Sequence, residues 1–231
     1  MTLLTVVNDA QDVLTMPRST ALYGQSTQDA RQWLAILKAE GKQLCMDHDW
    51  NDLQDTTSFT CVSTNAQTGY PETDFLRLQD GTDIWNDTRQ WPIRGPVKSK
   101  QWSDLIVRTT TTITQVWRLI DGVLNVYSPL AGDIIRYEWI SNKWVIASST
   151  AQSSFTADTN TFVFDEWLLT LGIVWRWRKA KGLDYAEEMM DYSRYKERVI
   201  LGDKGGISRT TGDPVPKIRF GKGWPGTVTG Y

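Results

Sequence analysis

The chain has 231 residues, enough for one generous domain or one domain carrying a large insert, and its 40% apolar and 23% charged content exclude wholesale disorder. A net charge of −2 gives no global reason to expect a polyanion as partner, and two cysteines, Cys45 and Cys61, are too few for a disulfide framework and are expected as free thiols. No apolar run reaches about 18 residues and the opening "MTLLTVVNDAQDVL" lacks a basic leader, so neither a membrane span nor a signal peptide is expected, and a cytosol-like compartment is.

Leu3, Val6, Val7, Ala10, Val13 and Leu14 recur at helical spacing with Pro17 just beyond, which predicts a first helix ending near Met16. A second helix is predicted from Ser26 as N-cap, with Asp29 three residues on. Its buried stripe would be Ala30, Trp33, Leu34, Leu37, Leu44 and His48, interrupted by a tolerated Gly41. From about Gln54 the period changes to two. Strands are predicted over 56–62, 116–129 and 133–141, and Asp121-Gly122 is a hairpin signal because both central positions of the tight turn need positive φ. A short helix is expected from Ser99, and "RTTTTITQ" at 108–115 reads as a polar loop or an edge strand with solvated threonines.

Helical period returns at Asp165. Trp167, Leu168, Leu171, Val174 and Trp175 share one face, while Leu169, Ile173 and Trp177 cover most of the rest, the pattern of a buried helix. Arg176, Arg178, Lys179 and Lys181 fall in its last turns, where cations complement the helix dipole, Gly182 suits the C-terminal cap, and Asp184 with Glu187 opens the next helix. The stretch 173–192 therefore reads as the packed elbow of a helical hairpin, with Trp175 and Trp177 in the core, ahead of a nucleic-acid clamp. The expected fold is α+β: a four-helix bundle built from both ends of the chain, an inserted antiparallel β region and an extended C-terminal arm. The expected divisions are a helical hairpin at 1–53, a β-rich insert at 54–163, a second hairpin at 164–202 packing on 1–53, and an arm at 203–231.

Chemistry is sparse. His48, the one histidine, is flanked by Asp47 and Asp49, but neighbours at i±1 on a helix point away from it, so no metal site is expected. No phosphate-binding glycine loop, G-x-S-x-G, H-E-x-x-H or paired C-x-x-C occurs, and "GDKGG" at 202–206 leads into a proline-glycine tail. Asp74 and Asp83 are no better than background as a glycosidase pair. The expectation is no catalytic residue, no cofactor and no metal. The arm is more informative: Lys204, Arg209, Lys217, Arg219 and Lys222 stand against Asp203 and Asp213, with Ile218, Phe220, Trp224 and Tyr231 interspersed. Flexible chains of this composition order on a partner, where buried aromatics supply affinity.

"LLTVVNDAQDVL" at the start, "HDWNDL" at 48–53, "GYPETDFLRLQDGTDIWN" at 69–86, "WPIRGP" at 91–96 and "FDEWLLTLGIVWRWRKAKGLDYAEEMMDYSRY" at 164–195 together resemble the head-to-tail adaptor (head-completion, connector or tail-tubular) proteins of tailed bacteriophages. The resemblance covers about 1–202; its last motif is the most specific, its first a generic helix, and none is catalytic. It implies a structural virion protein of the neck or tail, assembled in the host cytoplasm as a ring, commonly of twelve copies, beneath the portal. Implied partners are the portal protein, a tail nozzle or other tail protein, and further copies of the chain. DNA would pass through the lumen with only non-specific contacts, and no membrane is involved. The arm is expected to dock on the portal through Lys204, Arg209, Lys217, Arg219, Phe220, Lys222 and Trp224. Its long, aromatic-ended form departs from the simplest pattern and leaves its docking partner open.

Two other classes compete. Six tryptophans between 85 and 144 could stack on sugars in a carbohydrate-binding or cell-wall-acting module. Interleaved cations and aromatics at 175–181 and 217–224 could hold single-stranded nucleic acid.

Overall fold

A computed structural model describes residues 2–108 and 115–204, a mixed α+β chain with five helices and several antiparallel sheets among them. Helix α1 (Leu3–Val13) starts in a capping box between Thr2 and Thr5 and buries Leu3, Val6, Val7 and Ala10. It ends three residues before the predicted point. Pro17 disfavours a helical Met16, and the chain turns through Thr15 at φ 54° while the Met16 N–H reaches the Gln11 carbonyl at 2.8 Å.

Helix α2 (Gln28–Asp47) is capped by Thr27, whose hydroxyl accepts from the Ala30 N–H, and not by Ser26, which lies one residue too early to reach the first turn. Its buried stripe holds Ala30, Trp33, Leu37 and Leu44 as predicted. It also holds Glu40, Gly41 and Cys45, while Leu34 is only partly buried and His48 lies beyond the helix in extended conformation. Gly41 is required where mere tolerance was predicted: a Cβ there would come within 2.3 Å of the Trp144 ring.

A 3-10 turn at Asn51–Leu53 leads into the strands β1 (Gln54–Thr60), β2 (Ala66–Gln67), β3 (Phe75–Leu78), β4 (Ile84–Asn86) and β5 (Trp91–Ile93). Helix α3 (Ser99–Arg108) follows where predicted, and then β6 (Val116–Ile120), β7 (Val123–Tyr127), β8 (Ile134–Ser141), β9 (Val145–Ala147), β10 (Thr150–Gln152) and β11 (Thr161–Phe162). The β6–β7 hairpin turns on Asp121 (φ 51°) and Gly122 (φ 72°), the two positive values its sequence announces. Residues 109–114, most of the threonine run, lie outside the described residues.

The long strand β8 organises the sheets. It pairs antiparallel with β1 from Gln54↔Ile140 to Thr60↔Ile134, and with β3 and β4 along its other edge. It also joins two hydrophobic clusters. Ile135, Tyr137 and Trp139 pack with Phe59, Trp117 and Val126 between sheets, whereas Ile140, with Trp144 and Val145 after it, packs among the helices.

Helix α4 (Glu166–Ala180) begins at Asp165, whose carboxylate accepts from the Leu168 N–H at 2.8 Å, and closes through Gly182 at φ 71°. It touches α1, α2 and α5 (Ala186–Asp203), and this threefold packing buries Leu168, Leu169, Ile173, Val174 and Trp175 on several faces. A strip through Trp167 and Leu171 stays open, so Trp167 is 47% exposed, against the prediction that its face is buried. The backbone of Tyr185, and not Asp184, caps α5, although Asp184 Oδ1 still accepts from the Ala186 N–H at 3.1 Å. Trp177 is partly buried and stacks on Trp33 with centroids 5.8 Å apart.

Candidate functional site

The end of helix α5 is the best-defined polar feature near the residues picked out for docking. Helix α5 runs through Asp203, one residue into the stretch expected as arm. The Asp203 carboxylate receives His48 Nε2 at 2.9 Å and the Asn51 backbone N–H at 3.3 Å, bonds that link residues about 150 positions apart in sequence. His48 is 7% exposed, edge-on to Trp50, and Trp50 in turn donates its indole N–H to the Leu44 carbonyl at 2.7 Å. The chain after α5 thus departs from a clamped corner at the end of α2. Of the seven predicted docking residues only Lys204 is described, as the exposed C-cap of α5; Arg209, Lys217, Arg219, Phe220, Lys222 and Trp224 lie outside the described residues.

The cations of the α4–α5 elbow are all engaged by the chain itself. Arg176 pairs with Glu40; Arg178 pairs with Glu188 and donates to the Asp184 carbonyl at 2.7 Å. Lys179 lies over the Trp175 and Tyr185 rings, and Lys181 donates to Gln32 at 2.9 Å while lying over Trp177. Arg176 and Arg178 are thereby committed within the fold, which weakens the case for a clamp at 175–181, while Lys179 and Lys181 remain exposed.

Glu40 is the residue that sequence reading missed here. It is wholly buried, accepting from the Tyr192 hydroxyl and pairing with Arg176, and Gly172 makes room for it, since a Cβ there would lie 2.5 Å from the carboxylate carbon. Burial and the adjacent Glu40 charge raise the Tyr192 phenol well above its ordinary range. The only sequence signal was a carboxylate at a core-facing position of α2, and its partners lie more than 130 residues away.

Four of the six tryptophans proposed as sugar platforms, Trp102, Trp117, Trp139 and Trp144, are buried; Trp85 and Trp91 are partly exposed. Asp74 is tied to Lys143 at 2.9 Å and Ser141 at 3.1 Å, whereas Asp83 is exposed beside Trp85. Both cysteines are free and buried, and burial pushes the Cys45 thiol up to about 12. Among the described residues no three His, Cys, Asp or Glu side chains gather as a metal site would require, and no helix is long and apolar enough to cross a membrane. No family model matches the chain, and no curated protein matches it.

Proposed function

We propose that the chain is a non-enzymatic structural virion protein, a head-to-tail adaptor that forms a ring beneath a portal, joins it to the tail and lets DNA pass through its lumen. We infer with it that α1, α2, α4 and α5 act as one four-helix bundle drawn from both ends of the chain, with 54–163 as an inserted antiparallel β region and the residues after α5 as an arm. The shared hydrophobic cluster of these helices supports that division, and the sequence motifs at 48–53 and 164–195 support the adaptor role. The observation that carries the reading is the clamp of Asp203 on His48 and Asn51: it holds the last turn of α5 just ahead of a basic, aromatic stretch of sequence, and a fixed root lowers the entropy cost of docking such a stretch.

The test is native mass spectrometry of the protein with the portal encoded in the same genome, full-length beside a chain ending at Lys204. The cut falls after Lys204 so that Asp203 keeps its bonds to His48 and Asn51. Stoichiometric loading of the portal ring by the full-length protein, lost on truncation, is the expected result. No loading by either protein overturns the adaptor role, and equal loading by both overturns the arm as its anchor. The carbohydrate reading keeps one specific observation, Trp85 lining an open pocket with Asp83, Arg136 and Glu138. A tryptophan fluorescence titration with oligosaccharides that changes nothing at roughly millimolar sugar removes it.

A further inference from the structure

A cleft of about 480 Å³ opens where α2 faces the β8–β9 turn and the loop after β10. Its donor groups are Lys38 and Lys42 on one face of α2, Asn142, and the hydroxyls of Ser153 and Ser154; Cys45, Leu76 and the Trp144 ring give it an apolar floor. No carboxylate lines it. The side chains of Lys38, Lys42, Asn142, Ser153 and Ser154 make no hydrogen bond or ion pair with any described residue. Two lysines at i and i+4 repel each other along a helix, and neither has an acidic partner to offset that repulsion.

The indole makes the floor rigid. Trp144 is 1% exposed and its buried Nε1–H has no acceptor. The ring cannot swing to find one. It is stacked near Phe162 and Phe164 at 5.9 and 6.1 Å, meets Phe155 edge-on at 5.3 Å, and lies so close to Gly41 that no Cβ fits there. The Cys45 thiol, raised by burial, contributes no negative charge at neutral pH.

We propose that this cleft binds an oxyanion of the phosphate class carried on an apolar or aryl body. The two lysines meet its charge, and the hydroxyls and amide meet its oxygens. The body lies on the floor formed by Cys45, Leu76 and the indole. A phosphate group matches so many donors better than a carboxylate does, because it presents three strong acceptor oxygens where a carboxylate has two.

The experiment follows the indole N–H resonances of the full-length, isotopically labelled protein during titration with phenyl phosphate, with inorganic phosphate and benzoate in parallel. Trp144→Phe identifies the resonance. The expected result is a Trp144 resonance that moves and saturates with phenyl phosphate at about 1 mM or below, with weaker binding of inorganic phosphate. Lys38→Gln with Lys42→Gln should weaken binding by about tenfold or more, since two charge-assisted contacts are lost. Absence of any movement with phenyl phosphate overturns the proposal. So does a movement that the double lysine variant leaves unchanged, which would mean an adventitious ion only, and benzoate binding as tightly as phenyl phosphate overturns the phosphate class. Should Trp144→Phe fail to fold, calorimetric titration of the wild type and the lysine variant applies the same criteria, because both lysines are exposed and unpaired.

Discussion

The helical and β regions each place a tyrosine hydroxyl on a buried or half-buried carboxylate, and they balance the charge differently. Glu40, among the helices, is fully buried and has Arg176 as counter-ion. Glu72, in the β region, is half-buried, accepts from the Thr57 hydroxyl and from Tyr137 at 2.7 Å, and has no cationic partner among the described residues. A carboxylate wholly withdrawn from water needs an opposite charge, because hydroxyl groups alone do not repay its desolvation. One that keeps some water can be held by neutral donors. Burial therefore decides which region needs an ion pair drawn from a distant part of the chain.

The sharpest way to break this comparison is Arg176→Met, which leaves Glu40 buried and unpaired. We expect a loss of roughly 3–5 kcal/mol in urea unfolding, the usual cost of stripping one partner from a buried pair, whereas changing Glu40 and Arg176 together to apolar residues costs far less. A loss below about 1 kcal/mol would show that the pair is effectively solvated.

Gly41→Ala comes next. Helix propensity favours alanine by about 1 kcal/mol, but the Trp144 ring occupies the space of the new methyl, so a net loss of about 1–3 kcal/mol is expected. Stabilisation in a thermal melt would mean that Trp144 can withdraw. Glu72→Gln should cost only about 1–2 kcal/mol, since an amide oxygen can still accept one of the two hydroxyls and no charge is left stranded. A penalty as large as that of Arg176→Met would erase the distinction between the two regions.

The smallest effect, absent at neutral pH, is alkaline. Burial first and the neighbouring carboxylate second raise both Tyr192 and Tyr137 above the ordinary value of 10.0. A raised folded value means that their contribution is complete below pH 10 and is lost as pH climbs above it, because the unfolded chain releases those protons first. Phenolate absorbance should show these two tyrosines titrating only as the protein unfolds. Tyr192→Phe should flatten the alkaline decline in stability; an unchanged decline would assign it to other groups.

Local pattern carried much of the fold. The apolar spacing of α1, the helix from Ser99, the Asp165 and Gly182 boundaries of α4 and the Asp121-Gly122 hairpin could all be read from the chain, because each depends on residues within a turn or two of one another. One-residue errors at Ser26 and Asp184 belong to the same scale: several side chains near a helix start can accept an N–H, and the backbone selects among them.

Little of the candidate site was legible in that way. His48 was an isolated histidine until Asp203 arrived from the far end of α5, and Glu40 was a polar break in an apolar stripe until Arg176 and Tyr192 met it. Gly41 read as a weakness in α2 and is the space into which Trp144 fits. The cleft left one faint trace, two like charges at Lys38 and Lys42, while its other donors lie more than 90 residues further on. Element type and the turns were written in the order of residues, because short-range sterics and periodic burial set them. Which carboxylate is neutralised, which donor is left without an acceptor and where the end of α5 is clamped depended on segments meeting across the fold, since charge and hydrogen-bond pairing act through space and leave no period along the chain.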